Sequence, residues 1–388
     1  MKRAIKFIVC VILSTVVLTS GILCLCGVDI TRLNEQLPLI RKVCAAESEI
    51  AENAYFNIKE DTGDIDDWAL RGITSSLDDD YATYLTADEA TGKRKTDNGE
   101  MFGLGVLLAT EPETNKVCVI YVHKNSAAAS AGIAIGDVLV RVKDINVTPE
   151  TLDTAVDELT ANKSQTVEIE VERKGESIVY TVTTTDYIGD TVRYEMIDGV
   201  AYIKITEFDH TTKEQFDAAL KAIREISPKG YVIDLRKNPG GFVDTCLEML
   251  DILLPKCETL RYQDKNGNIR IAGTSDDACT DIDCAILIDS DSASCAEMFA
   301  INMRDYGDAT LVGEKSYGKG IVQTTYSLYD GSSLKFTTEL VIDKNGESYH
   351  GEGIKPDIEV VLTDEEKERF YFLGDDDRQL NTALDLFR

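Results

Sequence analysis

The sequence predicts an α/β core over residues 186–365, with a small all-β domain set in ahead of it at 96–185. A helical region at 29–95 precedes both, and a C-terminal tail covers 366–388. Three observations carry this reading. Past residue 186, short apolar runs such as 231–235 and 285–288 alternate with amphipathic helical periods, as in a sheet buried on both faces. From Gly103 to about Thr185 the pattern changes to short strands broken by glycine turns. At the start, Lys2, Arg3 and Lys6 precede an uncharged run from Phe7 to Val28, which has the roughly 20-residue length that spans a bilayer.

Residues 1–28 therefore read as a signal-anchor whose positive flank stays cytoplasmic, with a single-pass chain and its body outside the cell membrane. A signal peptide cleaved after a site such as Cys44-Ala45-Ala46 is the alternative, and would leave the body secreted or periplasmic. The net charge of -29 over 388 residues is uneven: residues 1–42 carry +4 and the remainder -33. An acidic body repels phosphate backbones and anionic head groups, which excludes a nucleic-acid partner and leaves membrane contact to the N-terminal helix. Seven cysteines follow the apolar run, at 44, 118, 246, 257, 279, 284 and 295. No Cys-x-x-Cys or Cys/His cluster occurs among them, so no metal site is expected. Cys279 and Cys284 flank an acidic stretch and are placed to pair, and buried free thiols fit equally well.

Residues 45–95 read as polar helix, with Ile50, Ala54, Tyr55 and Ile58 on one face and Ala69, Leu70, Ile73 and Leu77 on another. The segment from Thr91 to Gly99 reads as a linker. A glycine loop, Gly103-Leu104-Gly105-Val106, then leads into strands at 117–122 and 137–142, a helix near 149–160, and a hairpin of 166–173 with 177–184 about Lys174-Gly175. Such a loop can turn several N–H groups onto one carboxylate, and the strand after it offers a free edge to an extended peptide. In the core, a strand is expected at 200–205 and a helix at 211–226, with Phe216, Ala219, Leu220 and Ile223 on one face. Helices at 243–253 and 295–305 follow, with hairpin turns at Asn266-Gly267, Asp330-Gly331 and Asn345-Gly346.

Three segments carry chemistry. Asp234-Leu235-Arg236-Lys237-Asn238-Pro239-Gly240-Gly241 directly follows a buried strand, and its glycines expose backbone N–H groups in a sharp loop. Ser290-Asp291-Ser292-Ala293-Ser294-Cys295-Ala296-Glu297 lies at a strand-to-helix junction, where a serine either caps the helix or presents its hydroxyl beside free N–H donors. Gly313-Glu314-Lys315-Ser316-Tyr317-Gly318-Lys319-Gly320 sets one lysine between two glycines. A Ser-His-Asp triad would have to draw on His123, His210 or His350, each of which reads as a surface or structural histidine.

The unit from Gly103 to about Thr185, within the domain at 96–185, resembles a PDZ domain. The likeness rests on the glycine loop and on Asn125-Ser126-Ala127-Ala128-Ala129-Ser130-Ala131-Gly132-Ile133-Ala134-Ile135-Gly136-Asp137, with Ala127 where that family usually has proline. The three chemical segments together resemble the carboxyl-terminal processing peptidases, the PDZ-containing Ser/Lys proteases also called tail-specific proteases. Ser292-Ala293-Ser294-Cys295-Ala296-Glu297 aligns with that family's Ser-Ala-Ser-Ala-Ser-Glu, Lys319 lies 25 residues after Ser294, and Gln323 falls four beyond it. Gly351-Glu352-Gly353-Ile354-Lys355-Pro356-Asp357 and Ser76-Leu77-Asp78 with Tyr84-Leu85 also fit.

The resemblance implies a ClpP/crotonase-like α/β protease core with an inserted PDZ β-sandwich or barrel. It implies Ser294 as nucleophile, Lys319 as base and Gln323 as its support, with oxyanion donors at Gly240 or Gly241 and at Cys295. Gly103, Leu104, Gly105 and Val106 would take substrate C-termini, and no cofactor is called for. The expected activity is that of a serine endopeptidase that trims or degrades extracytoplasmic proteins. A catalytically silent, tethered PDZ scaffold is the reading from another class, and the presence of both serine and lysine counts against it. Homo-oligomerisation is left open.

Overall fold

The computed structural model describes residues 65–161, 164–276 and 282–388, and before them 38, 41–46 and 48–50. The expected anchor at 1–28, the helical positions Ala54, Tyr55 and Ile58, and Cys279 lie outside the described residues. Among those described, no helix is long and apolar enough to cross a membrane. Cys284 is a buried free thiol.

The chain divides into residues 1–76 and 77–388. The first unit holds helix α1 (Ile65–Thr74), with Asp66 and Asp67 in its first turn and Arg71 in its last, charges that suit the helix dipole. Within it the Arg71 guanidinium lies 5.7 Å from the centre of the Trp68 ring.

The second unit opens with β1 (Thr83–Leu85) and α2 (Ala87–Asp97). The expected linker from Thr91 is thus the second half of a helix. A reciprocal cap nucleates it: the Thr86 hydroxyl accepts from Glu89 N–H at 3.2 Å, and the Glu89 carboxylate accepts from Thr86 N–H at 2.8 Å. This outweighs Gly92, whose cost in a helix is about 1 kcal/mol.

The β domain comprises β2 (Glu100–Gly103), β3 (Val106–Glu111), β4 (Lys116–Val122), α3 (Ala127–Ala131) and β5 (Val138–Val142). It continues through β6 (Ile145–Asn146), α4 (Leu152–Thr160), β7 (Thr166–Arg173), β8 (Glu176–Thr183) and β9 (Thr185–Ile188). Its sheet runs β3-β4-β5-β7-β8, so β3, the strand after the glycine loop, is an edge as expected. Val119, Leu139, Leu159, Ile169 and Val171 fill its core. The entering and leaving strands β2 and β9 pair antiparallel and close the neck of the insertion.

The remaining core is β10 (Val192–Ile197), β11 (Val200–Ile205), α5 (Thr212–Arg224), β12 (Tyr231–Asp234) and α6 (Val243–Leu253). There follow β13 (Leu260–Asp264), β14 (Ile269–Gly273), β15 (Cys284–Ile288), α7 (Cys295–Tyr306) and β16 (Thr310–Gly313). Last come β17 (Ile321–Ser327), β18 (Ser333–Ile342), β19 (Ile358–Glu359), α8 (Asp364–Glu368) and α9 (Arg378–Asp385). The main sheet runs β10-β11-β12-β15-β16-β19, parallel throughout except for β10. Alternation along its strands splits the buried residues between two faces. Ala201, Ile203, Ile233, Ile286 and Ile288 pack with Phe216 of α5, Met249 of α6 and Phe299 of α7. Val200, Val232, Ala285, Leu287 and Val312 pack with Ala383 and Leu384 of α9. A second, antiparallel sheet is centred on β18, which pairs with β1, β13 and β17. The turn at Asn345-Gly346 forms, with Asp343 N–H donating to the Glu347 carbonyl at 2.9 Å, but no strand pairs back after it among the described residues.

Arg236, 2% exposed, ties the C-terminal segment to this sheet. Its guanidinium meets the Asp234 carboxylate at 2.7 Å and the Asp377 carboxylate at 2.8 Å, and Asp377 caps α9 by accepting from Leu380 N–H. Burial raises the Asp234 pKa, but the charges of Arg236 and Lys204 prevail and hold its carboxyl well below the usual range.

Candidate active site

Strands β12, β15 and β16 are parallel neighbours, in register Asp234↔Leu287 and Ile288↔Gly313. Their C-terminal ends therefore lie side by side, where open parallel sheets place their sites. All three chemical segments leave from those ends: Asn238–Gly241 after β12, Ser294 after β15, and Lys319 in the loop after β16.

Buried polar side chains fix the three loops to one another. The Ser292 hydroxyl donates to the Leu235 carbonyl at 2.8 Å and accepts from Asp289 N–H at 2.9 Å. Asn238, fully buried, donates from Nδ2 to the Ile205 carbonyl at 2.9 Å, while its own carbonyl accepts from Ala293 N–H at 2.9 Å. Tyr317 N–H donates to the Ser292 carbonyl at 3.0 Å.

The serine itself is held in strain. Ser294 has φ 55° and ψ -115° as the residue before α7, a conformation costly for a side chain bearing Cβ and typical of exposed nucleophiles on sharp turns. Gly240 approaches it closely. Its φ is +98°, and a Cβ there would lie 2.7 Å from Ser294 Cβ and 2.9 Å from Cys295 N. Only glycine lets the two loops touch.

That contact bears on which backbone donors stay free beside Ser294. Gly240 was expected as one of two alternatives, but its N–H turns inward and donates to Asn238 Oδ1 at 2.8 Å. A donor already satisfied by a buried acceptor is not free for an incoming charge. Gly241 N–H and Cys295 N–H have no acceptor among the described residues, and Cys295 stands at the N-terminus of α7, where the helix dipole favours negative charge. The Cys295 thiol donates to the Gly241 carbonyl at 3.2 Å and so ties these two positions together.

Glu297, fully buried, is the residue that sequence reasoning left without a role. Its Oε2 accepts from Ser294 N–H at 2.9 Å and Lys319 N–H at 2.8 Å. Its Oε1 accepts from Gly318 N–H at 2.7 Å and the Ser316 hydroxyl at 2.5 Å. One carboxylate thus joins the backbones of the serine and the lysine. Its position three residues into a helix, the spacing of a capping box, was the available signal.

The side chains of the expected dyad are not yet joined. Among the described residues no hydrogen bond links Ser294 Oγ to Lys319 Nζ. The ammonium lies over the Tyr81 ring, 4.5 Å from its centre. Gln323, expected to support Lys319, instead donates from Nε2 to the Tyr81 carbonyl at 2.8 Å, because β17 directs it toward the segment leading into β1. The Tyr81 hydroxyl lies 3.5 Å from that of Tyr317, a contact that with burial pushes the Tyr81 pKa up to about 12. Beside this cluster opens a cavity of about 670 Å3, lined by Leu77, Tyr81, Tyr317, Gly318, Phe336 and His350 among others.

None of the three histidines hydrogen-bonds Ser294 among the described residues. His123 is buried in the β domain and accepts on Nδ1 from Asp190 N–H, His210 stacks on Phe242, and His350 is exposed near Tyr81. In the glycine loop, Leu104 N–H and Gly105 N–H have no acceptor among the described residues, while the Leu104 and Gly105 carbonyls are held by Ala128 N–H and His123 N–H. Gly103 and Val106 end and begin the flanking strands.

A strained serine at the carboxyl edge of a parallel sheet, beside two free backbone donors, in a chain that also carries a PDZ-like domain, defines a PDZ-bearing serine peptidase. Comparison with known proteins agrees. Residues 199–360 match peptidase family S41 and residues 103–184 match the PDZ domain. The chain is 30% identical over 366 residues to a protein named "Probable CtpA-like serine protease" of Staphylococcus aureus MSSA476, covering 90% of this chain and 73% of that one. It is 28% identical over 372 residues to the protein of the same name in Staphylococcus haemolyticus JCSC1435, covering 93% and 74%. A solved S41 protease of Bacteroides fragilis NCTC 9343 shares the fold, with a TM-score of 0.58 at 17% identity over 86% of this chain and 92% of that one. The chain belongs to peptidase family S41, as a CtpA-like serine peptidase with a PDZ domain.

Proposed function

We propose that this peptidase cleaves extracytoplasmic proteins with a Ser294–Lys319 dyad, and that its PDZ loop selects substrates by their C-termini. The observation that carries the dyad is the shared carboxylate: Glu297 Oε2 binds the N–H groups of both residues, which sets their side chains out from one point. A serine hydroxyl needs a base within hydrogen-bond reach, and a lysine acts as that base only when neutral. Desolvation by a bound substrate favours the neutral form, as does a nearby cation. The Lys335 side chain has its own pKa lowered, first by burial and then by the charge of Lys319.

In this mechanism neutral Lys319 takes the Ser294 proton as Oγ bonds to the peptide carbonyl carbon. Gly241 and Cys295 N–H groups hold the oxyanion. The ammonium then protonates the leaving amine as the C–N bond breaks. Lys319 next deprotonates a water that attacks the acyl-enzyme, and the tetrahedral intermediate collapses to release the new C-terminus and free Ser294.

The free N–H groups of Leu104 and Gly105 and the open edge of β3 support capture of a peptide carboxylate with strand addition. The one-way strand order β11-β12-β15-β16 supports a ClpP/crotonase-like core. Lys2, Arg3 and Lys6 ahead of the uncharged run to Val28 support a tethered catalytic body outside the membrane. Hydrolysis of unstructured casein by the full chain tests the dyad. Ser294→Ala and Lys319→Ala should each abolish turnover, and turnover that persists in Lys319→Ala refutes the role given to the lysine.

A further inference from the structure

Tyr81 touches both residues expected to serve Ser294. Its ring carries the Lys319 ammonium at 4.5 Å, and its carbonyl takes the Gln323 amide at 2.8 Å. The backbone of Tyr81 is anchored: its N–H donates to Asp79 Oδ1 at 3.0 Å, and Asp79 is bound in turn by Thr337 N–H at 2.8 Å and the Thr337 hydroxyl at 3.1 Å on β18. Tyr81 also lines the cavity, together with Tyr317 and Gly318, the two residues that precede Lys319.

We infer that Tyr81 is a positioning residue that parks Lys319 away from Ser294 until a substrate chain enters this cavity. The inference rests on the dyad reading and adds a condition for its use. With Nζ over the ring and no hydrogen bond joining it to Ser294 Oγ among the described residues, the amine is not placed to take the hydroxyl proton. A polypeptide entering the cavity meets Tyr81, and displacing its ring releases the amine toward Ser294. An empty enzyme then keeps a weak nucleophile, and passing proteins are spared. Tyr81 lies far from Ser294 in sequence, between Ser76-Leu77-Asp78 and Tyr84-Leu85, whose fit to the family pattern gave the residue no role.

The test measures the rate at which an alkyl fluorophosphonate labels the full chain without substrate. In that reaction Ser294 Oγ forms a bond to phosphorus, fluoride leaves, and Lys319 takes the hydroxyl proton. Tyr81→Leu removes the ring and should raise the labelling rate about 2- to 30-fold, the span of one cation–π contact. Tyr81→Phe puts a ring back and should return the rate toward that of the wild type. Labelling that stays the same or slows in a folded Tyr81→Leu, while Lys319→Ala abolishes it, overturns the parking role and leaves the dyad standing. Labelling that survives in Lys319→Ala overturns the dyad instead. If Tyr81→Leu does not fold, crystal structures of the wild type with and without a bound peptidyl phosphonate decide. Nζ should leave the ring in the complex, and a lysine still over Tyr81 there refutes the inference.

Discussion

Replacing Glu297 with glutamine tests the joint on which the site is built. The carboxylate is fully buried and accepts four hydrogen bonds, from Ser294, Lys319 and Gly318 N–H and from the Ser316 hydroxyl. A glutamine keeps one acceptor oxygen and turns an NH2 group toward the other two donors. Two bonds to a charged acceptor are lost, at roughly 1.5–3 kcal/mol each, so the variant loses about 3–6 kcal/mol. At about 2–4 °C per kcal/mol for large domains, the Tm falls on the order of 10 °C. Activity should fall further than stability suggests, because a shift of about 1 Å between reacting groups costs roughly 100-fold in rate. The assay pairs a circular-dichroism melt with kcat and KM on a casein-derived peptide, and the loss is expected in kcat. Glu314→Gln is the control. That carboxylate bonds Leu362 N–H and the half-exposed Lys367 ammonium, so its loss should cost no more than about 1–2 kcal/mol and spare kcat. A Glu297→Gln protein that melts within 2 °C of the wild type (about 1 kcal/mol) and keeps kcat within about twofold (under 0.5 kcal/mol) would show that the carboxylate does not join the two loops.

Two further outcomes follow from the same geometry. Gly240→Ala places a Cβ 2.7 Å from Ser294 Cβ at φ +98°, so the loop from Asn238 to Gly241 must retreat, and on the proposed oxyanion role kcat should fall about 100- to 1,000-fold while the melt changes modestly. An unchanged kcat would separate that loop from catalysis. The Asp234 carboxyl is held below its ordinary range, so its stabilisation is complete above the unfolded carboxylate pKa of about 3.9 and drains away as pH falls below it. Arg236→Met removes the group that holds it there. The acid-unfolding midpoint, followed by circular dichroism, should rise, and urea unfolding should show a loss of about 3–5 kcal/mol; a midpoint that stays put counts against the network.

Much of the site was legible because its groups act locally. A serine before a helix, an Asn-Pro-Gly-Gly turn after a buried strand and a lysine between glycines each state their geometry within a few residues. The PDZ loop and the edge position of β3 were legible for the same reason. What stayed hidden depends on partners distant in sequence. Gly240 N–H turns to a side chain only two residues away, but Asn238 points inward because the Ile205 carbonyl receives its amide. Gln323 found Tyr81, 242 residues earlier, rather than the lysine on its own loop. The segment from Thr91 looked like a linker because its composition is polar, and its helix is set by a cap that begins at Thr86.

The amino-acid order alone determined which chemistry the chain carries, the alternation of strands and helices, and the insertion of a peptide-binding domain, because propensity, periodicity and turn geometry are properties of neighbouring residues. Tertiary structure alone decided which N–H groups remain free, which carboxylate unites serine and lysine, and where the lysine rests. Those outcomes depend on the parallel alignment of β12, β15 and β16 and on the β1 segment laid beside β18. A buried donor or cation takes the best partner that folding brings within reach, and that partner is fixed by packing rather than by spacing along the chain.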